Sequence, residues 1–346
     1  MDTVVATMGD ATLTNSQLQV FYWMEVKDYL SYASSYGYDT PDTSLPLSEQ
    51  VYDETTGQTW EQYFLEMTLE VWKQYQLMTN EANAAGYVMP EAYSSQFDTL
   101  EADLTEAAET YGYDSLEAFL TAEVGAGAQL QSYRDYLLLY YTASLYYSEM
   151  MGSLEVTEEE AEAFYTKNAN YLYYYYGVTA AGGKSVDVRH ILIMPEGGTY
   201  DSSTGYTNYT DEEWEDCRVL AQGIYDEWLS GEEVSEETFA ELAVNYSEDG
   251  NASEGGIYTE VYEGTMVTAF NDWCFDESRQ PGDHGLVKTE FGYHIMYFVG
   301  SGEGINSTVL AYVQNEKAAD ILDDLVEKNT MTVDYKSIVL GEVDLT

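Results

Sequence analysis

Basic residues are scarce in this chain: 12 Lys and Arg stand against 63 Asp and Glu among 346 residues, a formal net charge of −51. Such an acidic surface repels phosphate backbones and anionic lipid headgroups, which excludes nucleic acid and membrane adsorption through a basic patch. The partners it admits are neutral or cationic: basic polypeptide segments, or divalent ions held loosely by many carboxylates. The same charge keeps a protein soluble whatever it does. Cysteine is scarcer still. Cys217 and Cys274 are too few and too far apart for a metal-site spacing or a disulfide scaffold, and read as buried small hydrophobes; the sequence leaves a disulfide between them open. No run reaches the roughly eighteen apolar residues of a membrane span. The nearest, Tyr136 to Ser148, is uncharged but short and reads as a buried helix. No basic n-region leads into an apolar h-region after Met1, so the chain is either cytosolic or the mature part of an exported protein whose signal segment has been trimmed.

What is present is length, tyrosine and helical rhythm. A chain of 346 residues can hold two or three domains and an ample core without disulfides or metal. Tyrosine occurs 35 times, including the run Tyr173-Tyr174-Tyr175-Tyr176, and combines apolar area with a polar tip suited to half-buried helix faces or to binding surfaces. Residues 4–13 alternate around Gly9-Asp10 as a hairpin does, and Thr14-Asn15-Ser16 cap an apolar-periodic helix to about Tyr36. Gly37 to Gly57 reads as loop. Thr59 with Gln62 starts a helix that ends at Gly86, and further helices are expected over Pro90–Tyr111, Ser115–Val124 and Gln129–Met150. Thr157-Glu158-Glu159-Glu160 begins another. Gly177–Gly183 and Gly300–Gly304 read as linkers on either side of a strand-rich segment, and Val309 to Leu325 reads as a helix followed by a strand near Met331–Tyr335. That lone helix and strand cannot make a core, so they are expected to return to the N-terminal helices and leave the middle as an insertion.

Histidine is nearly absent, with three residues, yet His190 and His294 both lie inside apolar, strand-like runs where an imidazole is out of place. Singly, each would pass for a satisfied core residue. The runs are Val188-Arg189-His190-Ile191-Leu192-Ile193 and Thr289-Glu290-Phe291-Gly292-Tyr293-His294-Ile295. Between them stand Phe239-Ala240-Glu241-Leu242-Ala243, Tyr246-Ser247-Glu248-Asp249, Gly255-Gly256 and Gly264-Thr265-Met266-Val267-Thr268-Ala269-Phe270. In this order and spacing the segment resembles a parvulin-type peptidyl-prolyl cis-trans isomerase. His284, after Pro281-Gly282-Asp283, reads as a solvated turn residue.

The resemblance implies a site. His190 and His294 would lie on adjacent strands, with Thr289 and Asp249 completing a hydrogen-bonded network as candidate catalytic groups. Met266 and Phe270, four apart at the start of a helix, would form the proline pocket, with Phe291 and Tyr258 as its walls. Rotation about an X-Pro bond breaks no bond, so neither cofactor nor metal is called for. It needs a dry grip on the ring and donors suited to the twisted amide. The imidazoles would orient and polarise rather than attack, and Asp249 stands where parvulins carry Asp or Cys, which argues against an obligatory thiol. The family's Gly-Gly-Asp-Leu-Gly is here Gly255-Gly256-Ile257-Tyr258-Thr259, a departure that bears on activity. The loop Pro195–Asp211 has no Lys or Arg, which argues against phosphorylated substrates.

The opening Val-Ala-x-x-Gly-Asp hairpin and the Val156 to Tyr165 segment extend the likeness to PrsA-type and SurA-type foldases. The fold class this implies is α+β: a mostly helical chaperone lobe, formed by residues 1–183 with the helix and strand of 301–346, and an inserted parvulin domain at 184–300 with a small antiparallel sheet flanked by helices. The function implied is an extracytoplasmic foldase, cell-surface or secreted, of a Gram-positive-type bacterium. It would bind unfolded or nascent exported polypeptides and isomerise their X-Pro bonds without phosphate, its signal segment or lipid anchor having been trimmed. The alternative is a holdase that keeps the parvulin fold as a peptide-binding module without activity. An adhesin or glycan-binding role fits less well, because the tyrosines mostly fall at helical spacing. Dimerisation through the helical lobe is left open.

Overall fold

The computed structural model describes residues 2–203 and 206–345; Thr204 and Gly205 of the predicted Pro195–Asp211 loop, with the two terminal residues, lie outside them. The chain forms two compact units, one of residues up to Leu154 and from Gln314 onward, the other of Glu155–Val313.

In the first unit, β1 (Val4–Met8) and β2 (Ala11–Thr14) make the expected hairpin. α1 (Asn15–Tyr36) begins there because Thr14 Oγ1 accepts from the Gln17 N–H while Gln17 Oε1 accepts from the Thr14 N–H, which satisfies two donors the helix itself cannot. It stops at Gly37, which is left-handed with φ of 72°. The predicted Gly37–Gly57 loop contains β3 (Val51–Asp53), which pairs with β4 (Gln58–Thr59) in a short ribbon. α2 (Trp60–Ala85) opens on the Thr59/Gln62 capping box and ends at Gly86. The single helix expected over Pro90–Tyr111 is two pieces, α3 (Glu91–Ser94) and α4 (Gln96–Thr110), parted where the Asp98 N–H makes a tighter three-residue bond to Ser95 O. α5 (Leu116–Val124) and α6 (Leu130–Ser153) follow. The uncharged Tyr136–Ser148 run lies in α6 and is half-buried rather than buried: Tyr136 and Ala143 are enclosed, while Leu138 and Tyr140 face solvent. Leu18, Phe21, Tyr22, Val26, Phe64, Leu69 and Trp72 share one buried cluster in this unit. Among the described residues no helix is long and apolar enough to cross a membrane.

The second unit starts with α7 (Glu158–Tyr176), opened by the predicted Thr157/Glu160 capping box; its terminal Tyr173 to Tyr176 are all exposed. Then come β5 (Gly182–Ile193), the ribbon of β6 (Thr199–Asp201) and β7 (Tyr206–Asn208), α8 (Asp211–Leu229), α9 (Glu236–Tyr246), β8 (Ile257–Tyr262), α10 (Thr268–Cys274), β9 (His284–Lys288) and β10 (Tyr293–Ile305). The sheet order is β8-β5-β10-β9, antiparallel throughout. On one face Ile191, Ile193 and Ile295 pack with Cys217, Ile224, Trp228 and Phe239 of α8 and α9. On the other, Val186, Val188, Met296 and Phe298 pack with Phe270 and Cys274 of α10. The two cysteines are thus free, buried and on opposite faces, and Cys217 Sγ donates to Ile193 O.

Gly300–Gly304, expected as a linker, is strand. It ends β10 and pairs with the start of β5, where a Cβ on Gly182 would lie 2.4 Å from Gly304 O. The glycines mark close backbone approach rather than a break in the chain. α7 also belongs with this unit, since its Ala161 and Leu172 pack with Val178, Val309 and Val313. These compact units part at Leu154/Glu155 and Val313/Gln314. α11 (Ser307–Lys328) carries the chain from the second unit into the first, and β11 (Thr332–Val333) pairs with β1, Val333 opposite Ala6. The fold is α+β, a helical unit interrupted by one built on a small antiparallel sheet.

One glycine holds β5 against the turn before β8. The His190 N–H donates to Gly256 O at 2.8 Å, Gly256 has φ of 67°, and a Cβ there would meet His190 O at 2.2 Å. Gly250, nearby in sequence, has open space around its Cβ position. Gly256→Ala is expected to lower stability by about 1–3 kcal/mol, and Gly250→Ala to stay within about 0.5 kcal/mol. Urea midpoints of the two variants check this, and equal midpoints would refute it.

Candidate functional site

Alternation along the two central strands places the histidines. On β5, Val188, His190 and Leu192 share the face that α10 covers, and on β10 so do His294, Met296 and Phe298. Met296 lies opposite His190 and Leu192 opposite His294, so the imidazoles meet on the diagonal, with Nδ1 to Nδ1 at 3.0 Å and the rings nearly parallel. Both are buried. Thr289 closes one end of the chain of contacts. Its N–H donates to Gly292 O across the turn, and its Oγ1 lies 2.8 Å from His294 Nε2 while accepting from the Phe291 N–H at 3.1 Å.

Asp249 stands at the other end. It is set by the segment after α9, where Ser247 Oγ accepts from the Leu192 and Asp249 N–H groups and Leu192 O accepts from the Glu248 N–H. Its Oδ1 accepts from the Tyr258 hydroxyl at 2.9 Å and the Asn251 N–H at 3.2 Å, and lies 3.8 Å from His190 Nε2. That last spacing is an electrostatic contact, longer than a hydrogen bond, and His190 Nε2 has no other partner.

The proton positions follow from these partners. Asp249 can only accept, which favours the His190 proton on Nε2, facing it. His190 Nδ1 then accepts from His294 Nδ1–H, and His294 Nε2 accepts from the Thr289 hydroxyl. Both rings are neutral in this arrangement. Burial, with His190 second, pushes the His294 pKa down to about 3. The His190 ring beside it, with the Asn251 N–H and the Tyr258 hydroxyl, holds the Asp249 carboxyl well below the usual range against the opposing effect of burial. Burial and then the bond to Asp249 push the Tyr258 phenol up to about 12.

The predicted pocket residues assemble here, with corrections. Phe270 is buried and meets both imidazoles edge-on at 5.4 Å. Met266 packs in the same cluster but precedes the helix: α10 starts at Thr268, and Val267 is extended with φ of −58° and ψ of 146°. Tyr258 stacks on His190, ring centroids 5.1 Å apart. Phe291, on the turn beside Thr289, is 51 % exposed and stands outside the buried cluster. His284 is not a solvated turn residue. It opens β9, takes a hydrogen bond with Tyr225 through Nδ1 and packs edge-on to Trp228 of α8. Sequence reading missed Met296, whose buried thioether lies opposite His190, and the orienting donors Ser247 and Asn251. The polar turn Ser247-Glu248-Asp249-Gly250-Asn251 was the available signal for those donors. Among the described residues no group of three or more His, Cys, Asp or Glu could hold a metal ion.

A sheet carrying two neutral, mutually bonded imidazoles, a hydroxyl, a carboxylate and an aromatic wall is that of a parvulin-type domain, and residues 171–299 match the family of the PPIC-type PPIase domain. The chain is PrsA-like: it is 22 % identical to foldase protein PrsA 1 of Listeria monocytogenes over 259 residues, 75 % of this chain and 71 % of that one. Among solved structures, PrsA from Bacillus subtilis matches at 20 % identity over 82 % of this chain and 92 % of its own, with a TM-score of 0.26. A SurA-like chaperone of Campylobacter jejuni matches at 17 % identity over 94 % of each chain, with a TM-score of 0.25.

The depressed pKa of His294 has a sign that can be measured. An unfolded histidine takes up its proton near 6.5 and the folded one near 3, so the unfolded state binds more protons between these values and stability falls as pH drops through that window. One such group contributes a slope of up to about 1.4 kcal/mol per pH unit. The unfolding free energy of wild type minus that of His294→Gln should therefore shrink between pH 6.5 and about 4; parallel curves would show that His294 is not held neutral by the fold.

Proposed function

We propose that this chain is an extracytoplasmic foldase whose helical unit holds unfolded or nascent polypeptides and whose parvulin unit catalyses cis-trans isomerisation of X-Pro bonds without a phosphate requirement. The observation that carries the reading is the Thr289–His294–His190–Asp249 array beside Phe270, Met266 and Tyr258. The barrier to rotation is about 18–20 kcal/mol because the planar amide is resonance-stabilised. A pocket lowers it by gripping the proline ring and favouring the twisted amide, in which conjugation of nitrogen with the carbonyl is lost. Phe270 and Met266 supply the apolar grip. The neutral imidazoles present fixed dipoles at no cost of reorganisation, and with the Tyr258 hydroxyl they surround the bond without attacking it. The Pro195–Asp211 loop lacks Lys and Arg, which supports unphosphorylated substrates. Location outside the cytoplasmic membrane rests on the likeness to PrsA foldases.

One observation favours the second reading, a holdase without isomerase activity. Tyr258 stands where the family pattern has leucine, stacks on His190 and bonds Asp249, so it occupies space that a substrate could otherwise use. The readings separate in an exchange-based assay on unphosphorylated X-Pro peptides. Wild type is expected to accelerate exchange, and His190→Ala and His294→Ala each to lose at least about tenfold while staying folded. A folded wild type that accelerates no peptide would leave the holdase.

A further inference from the structure

The Asp249 carboxylate is only half used by the protein. Its Oδ1 takes the Tyr258 hydroxyl and the Asn251 N–H and faces His190, whereas Oδ2 has no hydrogen-bond or ion-pair partner among the described residues. The side chain keeps 20 % of its exposure, so the unpartnered oxygen is not sealed into the core.

No basic side chain of this unit compensates that charge. Arg189 alternates with His190 and points to the other sheet face, where its Nε bonds Glu236 at 2.9 Å. Arg218 pairs with Glu215 at 2.6 Å on α8. Arg279 lies over the Trp273 ring at 4.0 Å with Asp283 nearby. Lys288 stands opposite Tyr293 and over the Trp214 ring at 4.0 Å, again on the face away from His294. Lys184 begins β5, about 20 Å along the strand from His190, and Lys167 lies on α7. The site thus holds one fixed anion with a free oxygen and no cation.

We infer that the site selects X-Pro bonds in which the residue immediately before proline is lysine or arginine, its side-chain cation meeting Asp249 Oδ2. This rests on the isomerase reading above. With the proline ring held by Phe270 and Met266, as that reading has it, the residue across the rotating bond would pass beside His190, and Asp249 lies 3.8 Å from that ring. A cation there completes the ion pair that the protein leaves open, while a Glu or Asp would bring a second anion against it.

The test uses the full chain and peptides of equal net charge. They carry Lys, Ala or Glu immediately before proline, and in a further peptide the lysine is moved several residues upstream. The Lys peptide is expected to exceed the Glu peptide in kcat/KM by about tenfold at low salt, with the gap closing near 1 M salt, where screening acts within about 3 Å. Moving the lysine upstream should abolish its advantage. Equal rates for adjacent and distant lysine would overturn the inference, because the overall charge of −51 would then be the whole cause. In Asp249→Asn the Lys-to-Glu ratio should approach one; if that variant no longer turns over, the affinities of the two peptides by NMR titration replace rates, and a retained preference overturns the inference. Acceleration of every peptide without preference leaves the isomerase reading standing and removes only this one, whereas acceleration of none removes both.

Discussion

Two Nδ1 atoms held 3.0 Å apart have room for one proton between them, and the rest of the parvulin unit is arranged around that restriction. A second proton there would turn one ring into a buried cation and set two N–H groups against each other, so the arrangement with a single shared proton is favoured. The polarity of the whole array then runs one way: the Thr289 hydroxyl gives to His294, His294 gives to His190, and His190 turns its remaining N–H toward a carboxylate that can only accept. The diagonal register of β5 and β10 makes this approach possible. A slip of one residue would send either ring to the α8 and α9 face, into the cluster of Ile191, Ile193 and Ile295.

That register is fixed from outside the pair. Beyond Arg189, β5 no longer has β8 alongside as a regular partner; Gly256 O and Ser247 Oγ take its N–H groups instead. The substitution of a turn for a strand is what brings Asp249 next to His190, because a continuous β8 would occupy the space. Gly256 is the tightest point of this turn, and its lack of a side chain is what permits the backbone contact with His190. Sheet edge and site are therefore one piece of construction.

Much of this was legible in the sequence, and the failures have physical reasons. His190 and His294 could be picked out because polar residues inside short apolar runs are costly and demand partners, whereas Thr289 and Asp249 came only through the resemblance to parvulins. The capping boxes at Thr59 and Thr157 could be read because their hydrogen bonds close within four residues. His284 could not, since its partners Tyr225 and Trp228 come from a helix more than fifty residues earlier and nothing local distinguishes it from a turn residue. Gly300–Gly304 has the composition of a linker, and its strand state is imposed by pairing with the equally small Gly182 and Gly183. Met266 was placed on a helix by its spacing to Phe270. The chain reaches the same packing with an extended Val267 and a helix that begins two residues later.

The departure from the family pattern after Gly256 also looks different in three dimensions. Thr259 lies where the pattern has glycine, yet the left-handed residue of this strand is its neighbour Glu260, with φ of 51°, the one non-glycine residue of positive φ among those described. A conformation of that kind costs on the order of 1 kcal/mol or more and persists only where surroundings hold it. Here they do: the Glu260 N–H donates to Asp187 Oδ1, and its carboxylate accepts from the Ser307 N–H and hydroxyl at the start of α11. The first turn of that helix needs an acceptor for its unpaired N–H groups, and a carboxylate is the strongest available. The strain at Glu260 is thus offset by capping a helix rather than relieved by a glycine, and the kinked end of β8 becomes the fixed point from which α11 leads the chain out of the parvulin unit.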